Sequence, residues 1–467
     1  MLDKLIKILS AKQMFCFGIT GSGNSGKLIS DLIDNGHHYF DVNHEASAAI
    51  MSGIVSEISD TIGCSLSIKG PGLANMIPGI VNNYLENRFS ISISESYDQN
   101  KSGIHKNIKQ YEILTNIVRY QLSLSNVNLL EDIIHKEKIL GPVHINLCKD
   151  DRCYINDEIK LNSVTIDNIT SYTKIAVIFG KLCKNKIPSL QIPFFCTSSC
   201  KGNLYENDFF CGVYSGNGGI LTHEDVLQNS DLIIGVDIKD CELLVKKNNI
   251  YNINYNTFQN LYPLLLEHTW GCDFIQEKNS IKDNFKKEEW IPASCFRLMN
   301  DLSYDYNIIV DTGIFCMHAE YFLRCNINRN FLGSLNGRYM GTSIPSAIGH
   351  GLVLNKPVFC AFGDGSTSYL NEIEILSRHK LPICFVLFSD GQYGTIVSSN
   401  TNIHKLATSK SFPWMSLFES VGVESYIIES LDSFHKKINS WNHKDSLFLF
   451  CKFNKEEYIA SSDGIRI

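Results

Sequence analysis

Two aspartates with similar surroundings form the strongest candidate site in the sequence. Asp364 lies within Gly363-Asp364-Gly365 at the end of an apolar segment, and Asp390 follows 26 residues later at the end of the next one, in FSDGQYG. Two carboxylates at adjacent strand ends can share one hard cation, and glycine amides can approach a diphosphate that the cation bridges. The pattern therefore predicts a site for Mg²⁺ and a diphosphate, although Asp-Gly is also a common turn and Gly-Asp-Gly alone indicates little.

A third carboxylate, Glu45, follows a short strand-like segment in VNHEASAAIMSGIV. It directly precedes a helix that we predict over Ala46 to Asp60. A carboxylate at such a position can exchange a proton with a ligand. An acidic side chain is also favourable near any helix N terminus, because it interacts with the helix dipole. Taken alone, Glu45 therefore fits an ordinary helix start better than a catalytic role.

The alternation of strand-like and helix-like segments predicts how these residues are positioned. Short β-branched or aromatic runs alternate with helical patterns along the chain, which is typical of α/β proteins with largely parallel sheets. Such sheets bind ligands at the carboxyl ends of their strands, where the later segments carry Gly, Asp or Ser. The predicted strands are MFCFGIT, HYFDVN, CSLSIK, SISISES, PVHINLC, IAVIFG, PFFCTS, DLIIGVD, NIYNINYN, IIVDTG, PVFCAFGDG, ICFVLFSDG and LFLFCKF.

The chain of 467 residues is too long for one hydrophobic core, since single cores stop growing near ~250–300 residues. We predict an α/β protein of three domains, at residues 1–160, 165–285 and 288–467. The polar segment KDDRCYINDEIKLNS predicts a linker after the first domain. The middle domain is the shortest of the three.

The segment GDGSTSYLNEIEILSRHKLPICFVLFSDGQYG resembles, over its whole length, the cofactor motif of thiamine diphosphate-dependent enzymes of the acetolactate synthase and 2-oxoacid decarboxylase type. The resemblance implies that Asp364, Asp390 and the backbone carbonyl of Gln392 bind Mg²⁺, with Asp390 where the family has Asn. MGTSIPSAIG is similar to the helix entry that precedes this motif in the family. It implies that Met340 lies beneath the bent cofactor.

Two segments of the first predicted domain resemble the same family. VNHEASAAIMSGIV is similar to the segment whose Glu, here Glu45, bonds the pyrimidine N1′ of the cofactor and promotes the imino tautomer that removes the thiazolium C2 proton. KGPGLANM is similar to the family's GPG-x-x-N segment. The residues that the resemblance assigns to cofactor binding are Gly70, Pro71, Gly72, Asn75, Met340, Gly341, Gly363, Gly365, Gln392 and Tyr393.

The predicted middle domain resembles the family's central domain. Its segments TSSCKG and GVYSG are similar to the family's T-x-x-x-K-G and G-x-Y-x-G turns. The family members that hold flavin use a full central domain, whereas this one is shortened. It also lacks a dinucleotide-binding fingerprint. We therefore expect pyrimidine-binding, trimmed central and diphosphate-binding domains, with thiamine diphosphate and Mg²⁺ as cofactors and without FAD.

The stretch GITGSGNSGKLIS nearly matches a phosphate-binding loop for nucleotides. Gly21 to Lys27 fits G-x-x-x-x-G-K, but Leu28 stands where a Ser or Thr hydroxyl should bind Mg²⁺. FGITGSG is also similar to the family's FG-x-P-G turn, with Thr20 where Pro is usual. We therefore interpret the stretch as a tight strand-to-helix turn.

The resemblance implies decarboxylation of a small 2-oxo acid, with pyruvate or a close analogue as the substrate. Release of an aldehyde needs a proton donor, yet SGIHKN offers only His105, and Ile396 and Val397 follow the metal motif where decarboxylases carry an acid. This favours carboligation to a second carbonyl, as in acetolactate synthase, or decarboxylation with water or a different group as the proton donor. His105 is the second catalytic candidate, through substrate contact, and a surface loop position fits it equally well.

Two alternatives to this function stay open. The first is a non-ligating decarboxylase of a phosphono- or sulfo-substituted pyruvate, whose anionic group Arg338 could recognise. The second is a catalytically silent, cofactor-binding regulatory subunit, against which an intact Glu45 argues.

Composition and charge limit the remaining classes. The net charge of −7, with Lys and Glu interspersed, gives no basic stripe for nucleic acid. No segment approaches ~18 uninterrupted apolar residues, so we expect no membrane span. The lack of a secretory signal predicts a cytoplasmic protein whose 16 cysteines are reduced. The resemblance implies a homodimer or homotetramer, because the family's site joins the pyrimidine domain of one subunit to the diphosphate domain of another.

Overall fold

The structure is a computed structural model, and it describes most of the chain. The described residues are 1–21, 23–98, 105–135, 141–156, 169–181, 183, 190–214, 216, 223–243, 249–325, 329–399, 407, 412–463 and 465. Part of the predicted linker at 149–163 and the boundaries at 160 and 165 lie outside them. The division into three domains therefore stays a prediction.

The first part of the chain forms a seven-stranded sheet with helices. Its strands are β1 (Met14–Gly18), β2 (His38–Asp41), β3 (Ile62–Ser67), β4 (Ser90–Glu95), β5 (Tyr120–Ser123), β6 (Pro142–Leu147) and β7 (Tyr154–Ile155). Its helices are α1 (Leu2–Leu9), α2 (Asn24–Asp34), α3 (Glu45–Ile58), α4 (Pro71–Leu85), α5 (Gln110–Leu114) and α6 (Leu129–His135). The strand order is β2-β1-β3-β4-β6-β5-β7, and all neighbouring pairs are parallel except β5 and β7. The strands β3, β4 and β6 are buried along their whole length, as parallel strands covered on both faces should be.

A second, five-stranded sheet follows. It contains β8 (Ile175–Phe179), β9 (Phe194–Cys196), β10 (Phe210–Val213), β11 (Leu232–Val236) and β12 (Tyr251–Ile253), in the order β10-β9-β8-β11-β12. All its neighbouring pairs are parallel. The accompanying helices are α7 (Asp225–Gln228), α8 (Tyr255–Leu265) and α9 (Cys272–Asn284), with 3₁₀ turns at Ile169–Ser171, Ser198–Cys200 and Asp240–Glu242.

The last part of the chain contributes a six-stranded parallel sheet. Its strands are β13 (Asn307–Val310), β14 (Phe331–Gly333), β15 (Val358–Gly363), β16 (Ile383–Ser389), β17 (Glu424–Ile428) and β18 (Leu447–Lys452). Their order is β14-β13-β15-β16-β18-β17. The helices are α10 (Pro292–Asn300), α11 (Ile314–Phe322), α12 (Ser343–Val353), α13 (Gly394–Ser399), α14 (Trp414–Ser420), α15 (Leu431–Ser440) and α16 (Lys455–Ala460), with a 3₁₀ helix at Leu370–Ser377.

Packing divides the chain into two compact units, each built from several segments. The first unit comprises Met1–Glu158, Gly341–Asn355 and Thr367–Leu381, and the second comprises Ile159–Met340, Lys356–Ser366 and Pro382–Ile467. The first unit thus holds the first sheet together with α12 and the 3₁₀ helix Leu370–Ser377, while the second unit holds the other two sheets. The three largely parallel sheets confirm the predicted α/β fold.

The helix α3 is central to the first unit and carries Glu45. It begins at Glu45, one residue earlier than predicted, because Nδ1 of His44 accepts a hydrogen bond from the backbone N–H of Ala46. It ends at Ile58 rather than at Asp60. The helix α4 packs closely against its first turn, since a Cβ atom at Gly79 would lie 2.3 Å from the carbonyl oxygen of Ala46. This close approach fixes the start of α3 relative to α4.

Two expectations from composition can be compared with the structure. All 16 cysteines carry free thiols, and most of them are buried, whereas Cys241 and Cys272 are exposed. Within the part of the chain that is described, none of the helices combines the length and the apolar character needed to cross a bilayer.

Candidate functional site

The two predicted metal-binding aspartates follow adjacent parallel strands of the second unit. Asp364 follows β15 and Asp390 follows β16. Oδ1 of Asp364 accepts a hydrogen bond from Oγ of Ser389 at 2.8 Å, and Oδ2 accepts one from the backbone N–H of Gly391 at 3.1 Å. Both donors flank Asp390 in sequence, so the same turn holds the two aspartates in a fixed relation.

Asp390 combines one hydrogen-bonded carboxylate oxygen with one buried oxygen that has no hydrogen-bond partner in the described parts of the chain. Its Oδ1 accepts a hydrogen bond from the backbone N–H of Gln392 at 3.3 Å, whereas its Oδ2 has no hydrogen-bond partner among the described residues. Burial, together with the nearby Asp364 carboxylate, raises the pKa of Asp390 to about 6, and burial also raises the pKa of Asp364. A cation here would satisfy the unpaired oxygen and offset the repulsion between the carboxylates.

Within the part of the chain that the structure describes, no larger cluster of metal-binding side chains competes with this pair. Among the described residues, no group of three or more His, Cys, Asp or Glu side chains is arranged to hold a metal ion. The pair Asp364 and Asp390 with a main-chain oxygen of Gln392 would use fewer carboxylates than such a cluster. It remains the candidate site for Mg²⁺.

The glycines on either side of Asp364 border other residues that the sequence assigned to the cofactor. A Cβ atom at Gly365 would lie 3.1 Å from Sδ of Met340 and 3.1 Å from Cε1 of Tyr393. Met340 and Tyr393 are 49% and 38% exposed, so both remain accessible to a ligand. A Cβ atom at Gly363 would lie 2.9 Å from the ring of Phe315. The structure therefore brings Met340, Gly365 and Tyr393 together beside the aspartates.

Glu45 lies in the first unit as the first residue of α3, and only 8% of it is exposed. Its Oε2 accepts a hydrogen bond from Nδ2 of Asn75 on α4 at 3.1 Å. Its Oε1 lies near Gly72, where a Cβ atom would be 3.5 Å away. The structure thus brings Glu45 together with Gly72 and Asn75, two residues predicted to bind the cofactor.

Gly70 and Pro71 shape the start of α4. Pro71 stands in the first turn, where the missing N–H of proline costs nothing. Gly70 has a φ of +69°, and a Cβ atom there would lie 2.2 Å from the carbonyl oxygen of Lys106. Its N–H donates a hydrogen bond of 3.0 Å to Oε1 of Gln110. Gly341, also in the first unit, has a φ of +84°.

A cavity of about 360 Å³ opens beside Glu45 in the first unit. It lies at the carboxyl ends of β1, β3 and β4. Because β2 and β3 flank β1 on opposite sides, the strand order reverses here, and open α/β sheets bind ligands at such points. Residues in the cavity wall include Ile19, Glu45, Ile68, Lys69, Glu95 and Lys106.

Glu95 connects the cavity wall with the N terminus of α2. Its Oε2 accepts a hydrogen bond from Nζ of Lys69 at 2.9 Å, and its Oε1 accepts bonds from the backbone N–H and Oγ of Ser25 at 2.9 and 3.1 Å. Burial raises the pKa of Glu95, but Lys69 and Ser25 lower it more, so the pKa lies below its ordinary value. This carboxylate occupies the helix terminus that would bind phosphate in a phosphate-binding loop. The stretch around Gly21 and Gly23 is thus a strand-to-helix turn, in which Ser22 lies outside the described residues.

His105 and Arg338 have surroundings that the sequence did not reveal. His105 is exposed, and its backbone oxygen accepts a hydrogen bond from the hydroxyl of Tyr97 at 3.1 Å. Its contact with substrate stays a prediction. The guanidinium of Arg338 lies 3.5 Å from Oε1 of the buried Glu320 in the second unit. Recognition of a substrate anion by Arg338 would therefore have to compete with this ion pair.

In the second sheet, the corresponding point of strand reversal, next to β8, is occupied by a carboxylate of the protein itself. Oε2 of Glu242 accepts hydrogen bonds from the backbone N–H of Lys181 at 2.9 Å, from Oγ1 of Thr197 at 2.5 Å and from Oγ of Ser199 at 3.0 Å. These donors follow β8 and β9. The absence of FAD stays a prediction.

Sequence reasoning missed three residues that support the two candidate sites, namely Lys69, Glu95 and Ser389. Ser389 precedes Asp390, Lys69 precedes Gly70, and Glu95 is the last residue of β4. Their common signal is a position at the carboxyl end of a parallel strand. That signal alone could have indicated them, although it does not tell which way their side chains point.

Two family models match the chain. The model described as "Thiamine pyrophosphate enzyme, N-terminal TPP binding domain" matches residues 2–114, and the one described as "Thiamine pyrophosphate enzyme, C-terminal TPP binding domain" matches residues 311–450. Together they cover more than half of the 467 residues and include Glu45, Asp364 and Asp390. The chain therefore belongs to the family of thiamine diphosphate-dependent enzymes, which confirms the resemblance found in the sequence.

A relative with a known activity is the catabolic acetolactate synthase of Raoultella terrigena. The two proteins are 23% identical over 120 residues, which is 25% of this chain and 21% of that protein. The chain thus matches about a fifth of the length of this relative. The match supports kinship with the acetolactate synthase and decarboxylase group.

Proposed function

We propose that the protein uses thiamine diphosphate and Mg²⁺ to decarboxylate a small 2-oxo acid, with pyruvate as the first candidate, and joins the remaining fragment to a second carbonyl compound. The observation that carries this proposal is the buried carboxylate of Glu45, which Asn75 holds at the edge of a cavity. The family resemblance assigns Glu45 to the pyrimidine of the cofactor and Asn75 to cofactor binding. A buried, oriented carboxylate beside an open space is suited to proton exchange with a bound ring.

The residues around Glu45 fit the aminopyrimidine. Asn75 bonds one carboxylate oxygen, while the other lies near Gly72, which has no side chain to cover it. Glu45 would hold a proton at the ring nitrogen N1′ of the pyrimidine. When bound, the cofactor would supply a nucleophilic carbon for the oxo group of the substrate and a ring that acts as an electron sink for the loss of CO₂.

The residues at the ends of β15 and β16 fit Mg²⁺. Asp364 and Asp390 would each supply a carboxylate oxygen, and the main-chain oxygen of Gln392 would complete the protein ligands. The unpartnered Oδ2 of Asp390 supports this assignment, because a buried acceptor without a donor is costly unless a cation binds it. The narrow backbone at Gly363 and Gly365 would let a diphosphate approach the ion.

Carboligation is the course that we propose after CO₂ is lost. The helix α13, which follows the metal motif, has the sequence GTIVSS and carries no acid to donate a proton to the product. Ile396 and Val397 occupy the positions at which the decarboxylases of the family carry an acidic residue. The cavity of about 360 Å³ beside Glu45 would have to hold the second carbonyl compound together with the cofactor ring.

A non-ligating decarboxylase of a phosphono- or sulfo-substituted pyruvate is the second candidate. The presence of Lys69 and Lys106 in the wall of the cavity favours it, since each could pair with an additional anionic group. The other alternative, a regulatory subunit without catalysis, is disfavoured by the intact contact between Glu45 and Asn75.

The assembly and the compartment are also proposals. The family resemblance supports a homodimer or homotetramer with its sites at the subunit interface, and the sequence supports a cytoplasmic location. Light scattering of the purified chain, with and without thiamine diphosphate and Mg²⁺, would measure the mass of the assembly. A monomer under both conditions would contradict the proposed oligomer.

The function is tested by following [2-¹³C]pyruvate by NMR with purified protein, thiamine diphosphate and Mg²⁺, beside the Glu45→Gln variant. Label in acetolactate or acetoin with the wild type, and not with the variant, is the expected result. Acetaldehyde alone would instead favour the non-ligating decarboxylase. If the wild type consumes neither pyruvate nor its phosphono- and sulfo-substituted forms, the proposal is wrong.

A further inference from the structure

Two lysines, Lys69 and Lys106, lie in the wall of the cavity beside Glu45. Lys69 follows β3, and Lys106 belongs to the segment that packs against Gly70. Both lie at the edge where the order of the first sheet reverses. Ile19 and Ile68 also line the cavity, so the two ammonium groups border a partly apolar wall that also contains the carboxylates of Glu45 and Glu95.

Lys69 is held in one position by several contacts. Its Nζ lies 2.9 Å from Oε2 of Glu95 and 5.0 Å from the centre of the Tyr97 ring. Glu95 is itself fixed, because its other oxygen accepts two hydrogen bonds from Ser25 at the start of α2. The hydrogen bond to Glu95 raises the pKa of Lys69 above its ordinary value, so Lys69 stays cationic. Lys69 therefore presents an oriented ammonium group at the cavity.

Lys106 is positioned through its backbone. It has a φ of +62°, which is unfavourable for a residue with a side chain and persists only where the surroundings hold it. Its carbonyl oxygen packs where Gly70 lacks a Cβ atom. Within the described residues, its ammonium group has no ion-pair partner. Lys106 thus adds a positive charge to the wall that no described carboxylate neutralises.

The reaction limits which anionic group of the substrate these lysines can bind without slowing catalysis. A cation bound to the carboxylate that leaves as CO₂ would stabilise the starting state, and only interactions that strengthen in the transition state accelerate a reaction. An anionic group that remains charged throughout carries no such penalty. Its binding energy can position the substrate instead. The lysines therefore suit an anionic group that the substrate retains.

We propose that Lys69 and Lys106 form an anion subsite that binds the retained anionic group of the substrate, with Glu95 as a positioning residue for Lys69. This inference rests on the proposed function, because a substrate uses this cavity only if Glu45 belongs to the active site. Two sources share the required chemistry. One is the carboxylate of a 2-oxo acid that acts as the acceptor in ligation, and the other is a second acid group on the donor.

Equilibrium binding of oxamate to the full chain without cofactor tests the subsite. Oxamate has the shape and carboxylate of pyruvate but does not react, and titration calorimetry measures its affinity. Lys69→Met and Lys106→Met should each weaken binding by about tenfold, the loss expected for one charge-assisted contact. Lys69→Arg should bind nearly as well as the wild type. Lys109→Met, an exposed position at the start of α5, is the matched control and should bind like the wild type.

Equal affinity in the wild type and all four variants would overturn the subsite. The source of the anion follows from kinetics with thiamine diphosphate and Mg²⁺. An acceptor carboxylate predicts that Lys69→Met makes about tenfold less ligated product relative to acetaldehyde from pyruvate. A second acid group on the donor predicts that kcat/KM falls for 2-oxoglutarate and not for pyruvate. If neither quantity differs from that of Lys109→Met, the proposal is wrong.

Failure of the proposed function would look different. The wild type would consume no 2-oxo acid, while oxamate binding would still depend on Lys69 and Lys106. That result would support the subsite and reject the reaction. Thermal melting of each variant separates a lost contact from a lost fold, since Lys69→Arg and Lys109→Met provide folded references.

Discussion

The side-chain amide of Asn75 donates a hydrogen bond of 3.1 Å to Oε2 of Glu45, joining α4 to the first residue of α3. The contact depends on the close approach of these helices, because Gly79 leaves no side chain between them. The orientation of the Glu45 carboxylate is therefore fixed by packing between two helices and not by its own helix alone. Misplacing a catalytic group by about 1 Å can slow a reaction by about 100-fold.

We expect that Asn75→Ala lowers kcat by roughly 10- to 100-fold, because Glu45 would keep its charge and lose its fixed orientation. Glu45→Gln should lower kcat by about 10²- to 10⁴-fold, the usual contribution of general acid–base catalysis. Consumption of the 2-oxo acid measures both effects. Asn35→Ala, at an exposed position at the end of α2, should leave the rate unchanged. Full activity in Asn75→Ala would show that the contact has no part in catalysis.

Substitutions of Asp364 and Asp390 should differ in their effect on Mg²⁺-dependent binding of thiamine diphosphate. Asp364→Ala is expected to weaken Mg²⁺-dependent binding of thiamine diphosphate by about 100-fold or more, since it removes a ligand. Asp390→Asn should stay within about tenfold of the wild type, because an amide oxygen can still bind Mg²⁺. Ser389→Ala should fall between them, since Ser389 bonds Asp364. Calorimetric titration measures all three, and wild-type affinity in Asp364→Ala would mean that the ion binds elsewhere.

Much of the fold could be predicted because its strands are short apolar runs that end in Gly, Asp or Ser. The same rule predicted that Asp364 and Asp390 lie together, because adjacent parallel strands end at one edge of a sheet. It could not predict the link between Lys69 and Glu95, which depends on the directions of two side chains on different strands. The sequence also did not predict that α12 belongs to the first unit. This placement depends on packing against α3 and not on the sequence of α12 alone.

Two glycines with positive φ provide a matched test of the turn before α4. Gly36 has a φ of +83° and open space around the position of a Cβ atom, whereas Gly70 has a φ of +69°, a ψ of −109° and the Lys106 carbonyl 2.2 Å from that position. Gly36→Ala should lower the free energy of unfolding by about 1 kcal/mol, the cost of left-handed backbone. Gly70→Ala should lower it by more than about 3 kcal/mol, because a backbone clash is added. Urea unfolding followed by circular dichroism measures both, and equal losses would contradict the close contact.

A buried carboxyl group lies near the start of α3. Glu372, in the 3₁₀ helix Leu370–Ser377, is fully buried, and its Oε2 accepts a hydrogen bond of 3.1 Å from the backbone N–H of Asn43. Burial raises its pKa to about 7, although the bond from Asn43 opposes the shift. Its ordinary value is 4.5, so the folded chain holds a proton on Glu372 at a pH at which the unfolded chain has lost it.

The free energy of unfolding should therefore fall as the pH rises through the window from 4.5 to about 7, by at most about 3 kcal/mol from this group. Glu372→Gln keeps an acceptor for Asn43 and removes the titration. Relative to the wild type, this variant should gain stability between about pH 5 and about pH 8, as measured by urea unfolding at both values. Glu374→Gln, two residues away and exposed, should not show this gain. If the Glu372→Gln difference is the same at both pH values, Glu372 does not carry a raised pKa in the folded chain. A proton on Glu372 would then not contribute to the stability of the first unit.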